Sequence, residues 1–385
     1  MAKPNFILPN KPAIKAGSIL SYNYTDDLKF AAEPLDFSRN GSATRVNEQG
    51  LIETTSANIS RIDYSDSSTE PSLLLEPQST NLITQSELFS TSWTRFGSIT
   101  TTDNYTTSPS GQNNATRLQW TNAFNFIYQS LSHVGGDFTL SIYLKSNTNV
   151  SQNVKLFMDN SVQNKEVVVT TQWQRFEFTN TRTPTQSNRN VGLIKSGSQV
   201  GDLDISIYGA QFEQKSYPTS YIPTSGSAVT RLGETANNAG GAGVFNSEEG
   251  VLYAEIAALA DSGHRWISVN SSNSSNRITI ELYPQTGTLV SRLTTNGVQK
   301  AFLVAINIVK TNMNKIAVRY YLNNFSLWVN GNKISEDVTD VPVPIGLNSL
   351  DFKQGDNSGN FYGKTKNLKV FNYALTDEEL QTLTT

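Results

Sequence analysis

The 385-residue chain contains no cysteine. That excludes a disulfide framework, a thiol nucleophile and a thiolate metal site, and it fits assembly in a reducing cytoplasm. Histidine is nearly as scarce: His133 and His264 are the two present, and no His-x-x-x-His spacing marks a zinc site. Neither a Gly-x-Ser-x-Gly elbow nor a phosphate-binding glycine loop occurs, so acyl transfer and nucleotide hydrolysis have no motif. No apolar run approaches the roughly 18–20 residues of a membrane span. The start, MAKPNFILPNKPAIKAG, carries Pro4, Pro9 and Pro12 in place of an apolar stretch and does not read as a secretory signal. Excess charge is also missing. The net charge is -3 and the pI about 5.6, without a block of like charges, so the footprint of a nucleic-acid binder is absent.

What is present reads as strand and turn. Phe138, Leu140, Ile142 and Leu144 alternate onto one face, the period-2 pattern of a half-buried strand. Leu203–Ile207, Ile278–Leu282 and Ile316–Leu322 repeat it. The β-branched run Glu166–Thr170 is followed by Trp173, Phe176 and Phe178, residue types that suit a pleated surface. Asn330-Gly331 between two apolar runs predicts a type I′ hairpin, and Asn296-Gly297 and Asn40-Gly41 are further candidates. The one helix expected covers Thr376–Leu383, where Thr376 and Glu379 form a capping-box pattern.

A length of 385 residues, at roughly 150 per domain, suggests two or three domains. Many short strands at close spacing predict an all-β protein of antiparallel sandwiches or jelly rolls. Composition divides the chain into an extended N-terminal arm with short strands (1–84), a first sandwich (85–225) and a second sandwich (226–385). Pro218 and Pro223 stiffen the joint between the sandwiches.

Glycan cleavage ordinarily needs two carboxylates about 5–9 Å apart. The candidate pairs are Asp202/Asp204, Glu248/Glu249 and Glu378/Glu379. Each has an ordinary reading: a solvated strand face, a turn, and the acidic first turn of a capped helix. Asp351, Asp356 and Asn357 beside Gly355 and Gly359 are candidates for a structural Ca²⁺ loop, and the same residues are ordinary turn chemistry. No other cofactor is expected. Sugar binding needs exposed rings with polar neighbours. Trp120, Phe124, Phe126 and Tyr128 form the densest aromatic stretch, with Phe124, Phe126 and Tyr128 on one face and Asn125 and Ile127 opposite. The competing reading of that stretch is a core strand. Trp266 and Tyr283 are the corresponding candidates in the second sandwich. Trp93 and Trp173, each with an aromatic three residues on, read as core.

Ser42-Ala43-Thr44-Arg45-Val46-Asn47, Gly50-Leu51-Ile52-Glu53, Arg61-Ile62-Asp63-Tyr64 and Leu74-Leu75-Glu76-Pro77-Gln78-Ser79-Thr80-Asn81-Leu82 together resemble the leader of a family of bacteriophage fibre-type proteins. Those proteins are frequent in phages and prophages of Bacteroidetes-like hosts. Gly209-Ala210-Gln211-Phe212-Glu213 and Ser220-Tyr221-Ile222-Pro223-Thr224-Ser225-Gly226 resemble the closing segment of that family's carbohydrate-binding-module-like jelly roll. Gly250–Glu255, Leu327–Gly331 and Gly363–Leu380 resemble the opening strand, central hairpin and closing strand-plus-helix of a laminin-G or concanavalin A-like sandwich.

The resemblance implies a non-catalytic virion surface protein, a head or tail fibre or a capsid decoration, that adheres to cell-surface or mucosal glycans. It implies assembly in the host bacterial cytoplasm, contact with other virion proteins through the N-terminal arm, and a homotrimer. No nucleic acid and no membrane insertion enter this reading. Two alternatives stay open: a purely structural head-fibre or decoration subunit, and a glycan-degrading tailspike.

Overall fold

Alternating apolar side chains give many strands a face to bury, and the chain answers by stacking sheets. The computed structural model describes residues 3–24, 30–66, 69–121, 125–132, 135–158, 163–182, 189–356 and 358–385. These residues form antiparallel sheets and one helix, Asp377–Thr384. Two compact units result. A terminal unit contains Met1–Ser42, Thr55–Pro77 and Gly233–Thr385; a middle unit contains Ala43–Thr54 and Gln78–Leu232.

The middle unit places two five-stranded sheets around one core. One runs Thr94–Phe96, Phe126–Leu131, Arg189–Lys195, Gln152–Met158, Gln163–Val169 in spatial order. The other runs Ile99–Thr106, Ala115–Trp120, Leu203–Glu213, Gly136–Ser146, Gln174–Arg182. Phe138, Leu140, Ile142 and Leu144 all enter the core, with Ile127, Leu156, Leu193, Ile205 and Phe212. The predicted runs 138–144 and 203–207 are therefore strands with the expected faces.

The terminal unit packs a 12-stranded sheet against a five-stranded one. Its core holds Leu252, Ile256, Ile316 and Leu327 with Ile267, Ile278, Ile280 and Leu293. Asn330 and Gly331 have φ 49° and 80°, and Asn296 and Gly297 have 51° and 76°, as type I′ turns require. Asn40-Gly41 departs from that expectation: only Gly41 has a positive φ, at 153°. The helix begins at Asp377, capped reciprocally by Thr376 and Glu379. Its Leu380 packs on Val251, Ala317 and Trp328, the outward side of the large sheet.

The first 84 residues do not stand apart as an arm. Phe6–Leu8 pairs with Gly363–Phe371, joining Phe6 to Val370, and Ser72–Leu75 pairs with the same strand. Phe6, Leu8, Ile19, Leu35, Leu73 and Leu75 are core residues there. Burial of that many apolar side chains outweighs the freedom of a short, proline-rich segment. Residues 43–54, by contrast, fold with the middle unit. The leader's polar residues are equally committed. Arg39 Nη1 meets Glu234 Oε1 at 2.7 Å, and Arg61 Nε donates to the same oxygen at 2.9 Å. Arg61 Nη1 pairs with Glu76 Oε2 at 2.8 Å. The Glu76 amide donates to Glu234 Oε2 at 2.9 Å. These side chains are 0–3% exposed, so two guanidiniums and two carboxylates neutralise one another away from water.

Candidate functional site

The sheet that contains Phe126–Leu131 packs one face on the middle-unit core, and the sequence decides what its other face shows. In Phe126–Leu131 the buried set is Ile127, Gln129 and Leu131; Phe126, Tyr128 and Ser130 point outward. The edge strand Thr94–Phe96 pairs with it so that Phe96 sits opposite Phe126 and Thr94 opposite Tyr128. Phe96 and Phe126 stack at 4.9 Å between centroids, with 21° between their planes. Tyr128 lies 5.5 Å from Phe126, and Phe157 meets Phe126 edge-on at 6.0 Å. Phe96 is 59% exposed and Phe126 and Tyr128 are half-buried, whereas Phe157 is covered.

The registers continue this face across the sheet. One row reads Phe96, Phe126, Ile194, Lys155, Glu166. The next reads Thr94, Tyr128, Gly192, Phe157, Asn164. Gly192 is required there: a Cβ would meet the Ile127 carbonyl oxygen at 2.0 Å. Hydrogen bonds from Ser196 and Ser198 hold the Glu166 carboxyl below the usual carboxylate range, so it is anionic at neutral pH. The result is an open apolar floor at one end and a Lys–Glu rim at the other. Aromatic faces of this kind receive apolar ligand surfaces, and the rim supplies oriented polar contacts.

Of the residues expected to bind sugars, Phe126 and Tyr128 share this face, and Phe124 lies outside the described residues. Trp120 has to be corrected: it is fully buried in the middle-unit core, and its Nε1 donates to the Asn125 carbonyl at 3.1 Å. The strand Ala115–Trp120 turns its side chain inward, so no ring face is free. Trp93 is core, as expected, but Trp173 is half-buried in a small side cluster with Ile52, Tyr208 and Tyr221. Sequence reasoning missed Phe96, which was used only as a marker that Trp93 is core. Its place opposite Phe126 is a matter of register.

In the terminal unit Trp266 is only 5% exposed, which corrects the expectation of an open ring. His264 packs against it at 4.2 Å with 33° between the planes, and half-buried Tyr283 meets His264 edge-on at 4.9 Å. Gly359 lies over the indole, where a Cβ would be 2.4 Å from Trp266 Cδ1.

The carboxylate candidates are dispersed. Asp204 is paired with Arg117, whose Nε donates to Oδ1 at 2.9 Å, and Asn147 donates to the same oxygen at 2.9 Å. Partial burial pushes the Asp204 carboxyl up, but the bonds from Arg117 and Asn147 outweigh it and the carboxyl lies below the usual range. Asp202 is exposed and precedes the strand. Glu249 accepts the Ala374 amide, and Glu379 caps the helix.

Asp351 does not suit a calcium ligand, because N–H and O–H donors surround its carboxylate. Asn238 N donates to Oδ1 at 2.7 Å, Ser349 Oγ to Oδ1 at 3.2 Å and Asn270 Nδ2 to Oδ2 at 2.8 Å. Asp356 is exposed in the following loop and accepts from Ser358. Asn357 lies outside the described residues. Among the described residues no three acidic, histidine or cysteine side chains cluster as a metal site.

No protein-family model matches the chain, and no curated protein matches it. Solved structures similar to it include the CBM40 module of the Ruminococcus gnavus IT-sialidase bound to α2,3-sialyllactose. That pair is 18% identical over 39% of this chain and 94% of the module, with a TM-score of 0.32. The tandem CBM22 domain of Xyn10C from Paenibacillus barcinonensis is 10% identical over 78% of this chain and 99% of its own, with a TM-score of 0.29. The heptameric SAP-like pentraxin from Limulus polyphemus is 12% identical over 36% of this chain and 70% of its own, also at 0.29. Two of these three are carbohydrate-binding modules. Likeness of this extent says nothing of what this chain binds.

Proposed function

We propose that the protein is a non-catalytic, glycan-binding adhesin of the virion-surface type. The observation that carries this reading is the solvent-open row of stacked rings, Phe96 and Phe126 with Tyr128, on the outward face of a middle-unit sheet. Exposed contiguous aromatic surface on a rigid sheet marks an interaction site. Its flat rings and Lys155–Glu166 rim suit a saccharide, whose C–H faces are apolar and whose edges are hydroxyls. Single sites of this kind are weak, and many copies on one particle make them effective. The leader resemblance supports the virion-surface part, with contacts to other virion proteins in a trimer assembled in the host cytoplasm.

The test is a glycan array probed with multivalent full-length protein beside Phe126→Ala. Binding that the variant loses by about tenfold or more supports the proposal. Equal binding by both, or none by either, sinks it. Release of oligosaccharides from host polysaccharide overturns the non-catalytic part.

A purely structural role is favoured by one observation, the exposed apolar Val298 and Val304 on the edge strand Val298–Ala305. That surface suits a protein partner, and an array without signal would select this reading.

A further inference from the structure

The small sheet of the terminal unit carries charge on its outward face. Asn270, Arg277 and Thr294 are direct neighbours on three adjacent strands. All three are more than nine-tenths buried, and each has a polar atom without a hydrogen-bond partner: Asn270 Oδ1, Arg277 Nε and Thr294 Oγ1.

Arg277 makes no ion pair among the described residues. What holds its guanidinium is neutral. Nη1 donates to the Gln354 carbonyl at 3.2 Å. The Gln354 side-chain amide, turned with its oxygen toward the guanidinium, accepts from Nη1 at 3.0 Å and Nη2 at 3.1 Å. Glu281 is already committed. Its oxygens accept from Arg292 Nε at 3.0 Å, Arg292 Nη2 at 3.1 Å and Thr279 Oγ1 at 2.7 Å, and meet His264 Nε2 at 3.1 Å. The charge of Arg277 is thus buried without a directly paired carboxylate, an arrangement proteins ordinarily avoid; Glu281 and Asp356 act on it only through longer-range attraction. Burial accordingly pushes the Arg277 pKa below the ordinary arginine value.

Rings border this cation. The Trp266 ring centroid lies 5.7 Å from Arg277 Cζ and 5.4 Å from Arg292 Cζ. Arg292 also sits over Phe302, at 4.9 Å, and Phe302 is exposed. The loop that supplies Gln354 bends at Gly355 and Gly359, both with positive φ.

We propose that this face is a second ligand site, for the carboxylate or sulfate of an acidic saccharide, with Arg277 as the ion-pairing group. Gln354 is the internal side chain that the ligand displaces: its amide oxygen sits where one oxygen of the anion would. The planar guanidinium fork matches such oxyanions two bonds at a time. Exposed Phe302 and half-buried Tyr283 supply ring surface for the sugar. This site is independent of the open aromatic row in the middle unit.

The test uses the full chain over immobilised polygalacturonate, chondroitin sulfate and uncharged dextran at low ionic strength, where exposed charges are least screened. Retention on at least one acidic polymer is expected, with Arg277→Gln weakening it by about tenfold or more. Gln354→Ala should bind at least as tightly as the parent. Arg277→Lys, which keeps the charge without the fork, should fall between parent and Arg277→Gln, and it carries the test if Arg277→Gln does not fold. Galacturonate should compete better than equimolar inorganic sulfate. The proposal fails if neither acidic polymer is retained, if the Arg277 variants bind as the parent does, or if Phe126→Ala abolishes acidic retention. Equal competition by free sulfate would overturn the saccharide assignment.

Discussion

The outward faces of two five-stranded sheets, one in each unit, solve the same problem in opposite ways. Each sheet gives its inner face to a core and leaves the other to be furnished. In the middle unit the furnishing is apolar and open: Phe96 and Phe126 stack in solvent, and charge is pushed to Lys155 and Glu166 at the far end of the row. In the terminal unit it is charged and covered. Trp266 lies under Gly359, flanked by Arg277 and Arg292, with Glu281 buried beside it. The difference teaches that ring count does not identify a binding face. An aromatic side chain on an edge strand stays open, whereas one beneath a loop becomes part of a closed polar network whose free valence is electrostatic.

That contrast can be broken by substitution, and the largest effects lie away from both faces. Glu234→Ala should cost the terminal unit about 3–5 kcal/mol, because it strips two buried guanidiniums of their shared carboxylate; urea unfolding reads it. Trp120→Ala should cost the middle unit a similar 3–5 kcal/mol as a cavity forms in its core. Loss of sugar binding by Trp120→Ala at temperatures where it stays folded would contradict the division between buried and open rings. Phe96→Ala, on the open face, should change stability by no more than about 0.5 kcal/mol while weakening glycan binding; calorimetry beside a binding isotherm separates the two. Thr376→Ala removes the helix cap and should lower stability by about 1 kcal/mol.

A further modest effect is a pH response. The folded-state pKa of Asp204 is depressed, so its pairing with Arg117 contributes above the ordinary aspartate value of 3.8 and is lost as pH falls through the lower folded value. The pair is partly exposed and is worth about 0.5–1 kcal/mol after solvent screening. Asp204→Asn should remove that portion of the acid-side slope in unfolding midpoints as pH falls below about 4; an unchanged slope would show the pair to be idle.

Much of the fold was legible because strand alternation is local. Phe138 to Leu144 announced a core face, Asn330-Gly331 a type I′ turn and Thr376 with Glu379 a cap, each from residues within a few positions of one another. The leader was misread as an arm for the converse reason. Phe6 finds its partner at Val370, and Arg61 and Glu76 find theirs at Glu234, so the sequence around each shows only short, interrupted runs. Among the site residues, the shared outward face of Phe126 and Tyr128 followed from alternation. Trp120 did not, since an aromatic two turns of pleat away can belong to a different strand with the opposite orientation.

Composition and periodicity alone determined an all-β chain without thiol chemistry, with two of its hairpin turns and, among the described residues, its one capped helix. Only the tertiary structure decided which rings are open. Exposure depends on which strand lies alongside and which loop passes over, as with Phe96 opposite Phe126 and Gly359 above Trp266. Those neighbours are set by long-range pairing and burial, which no window of adjacent residues contains.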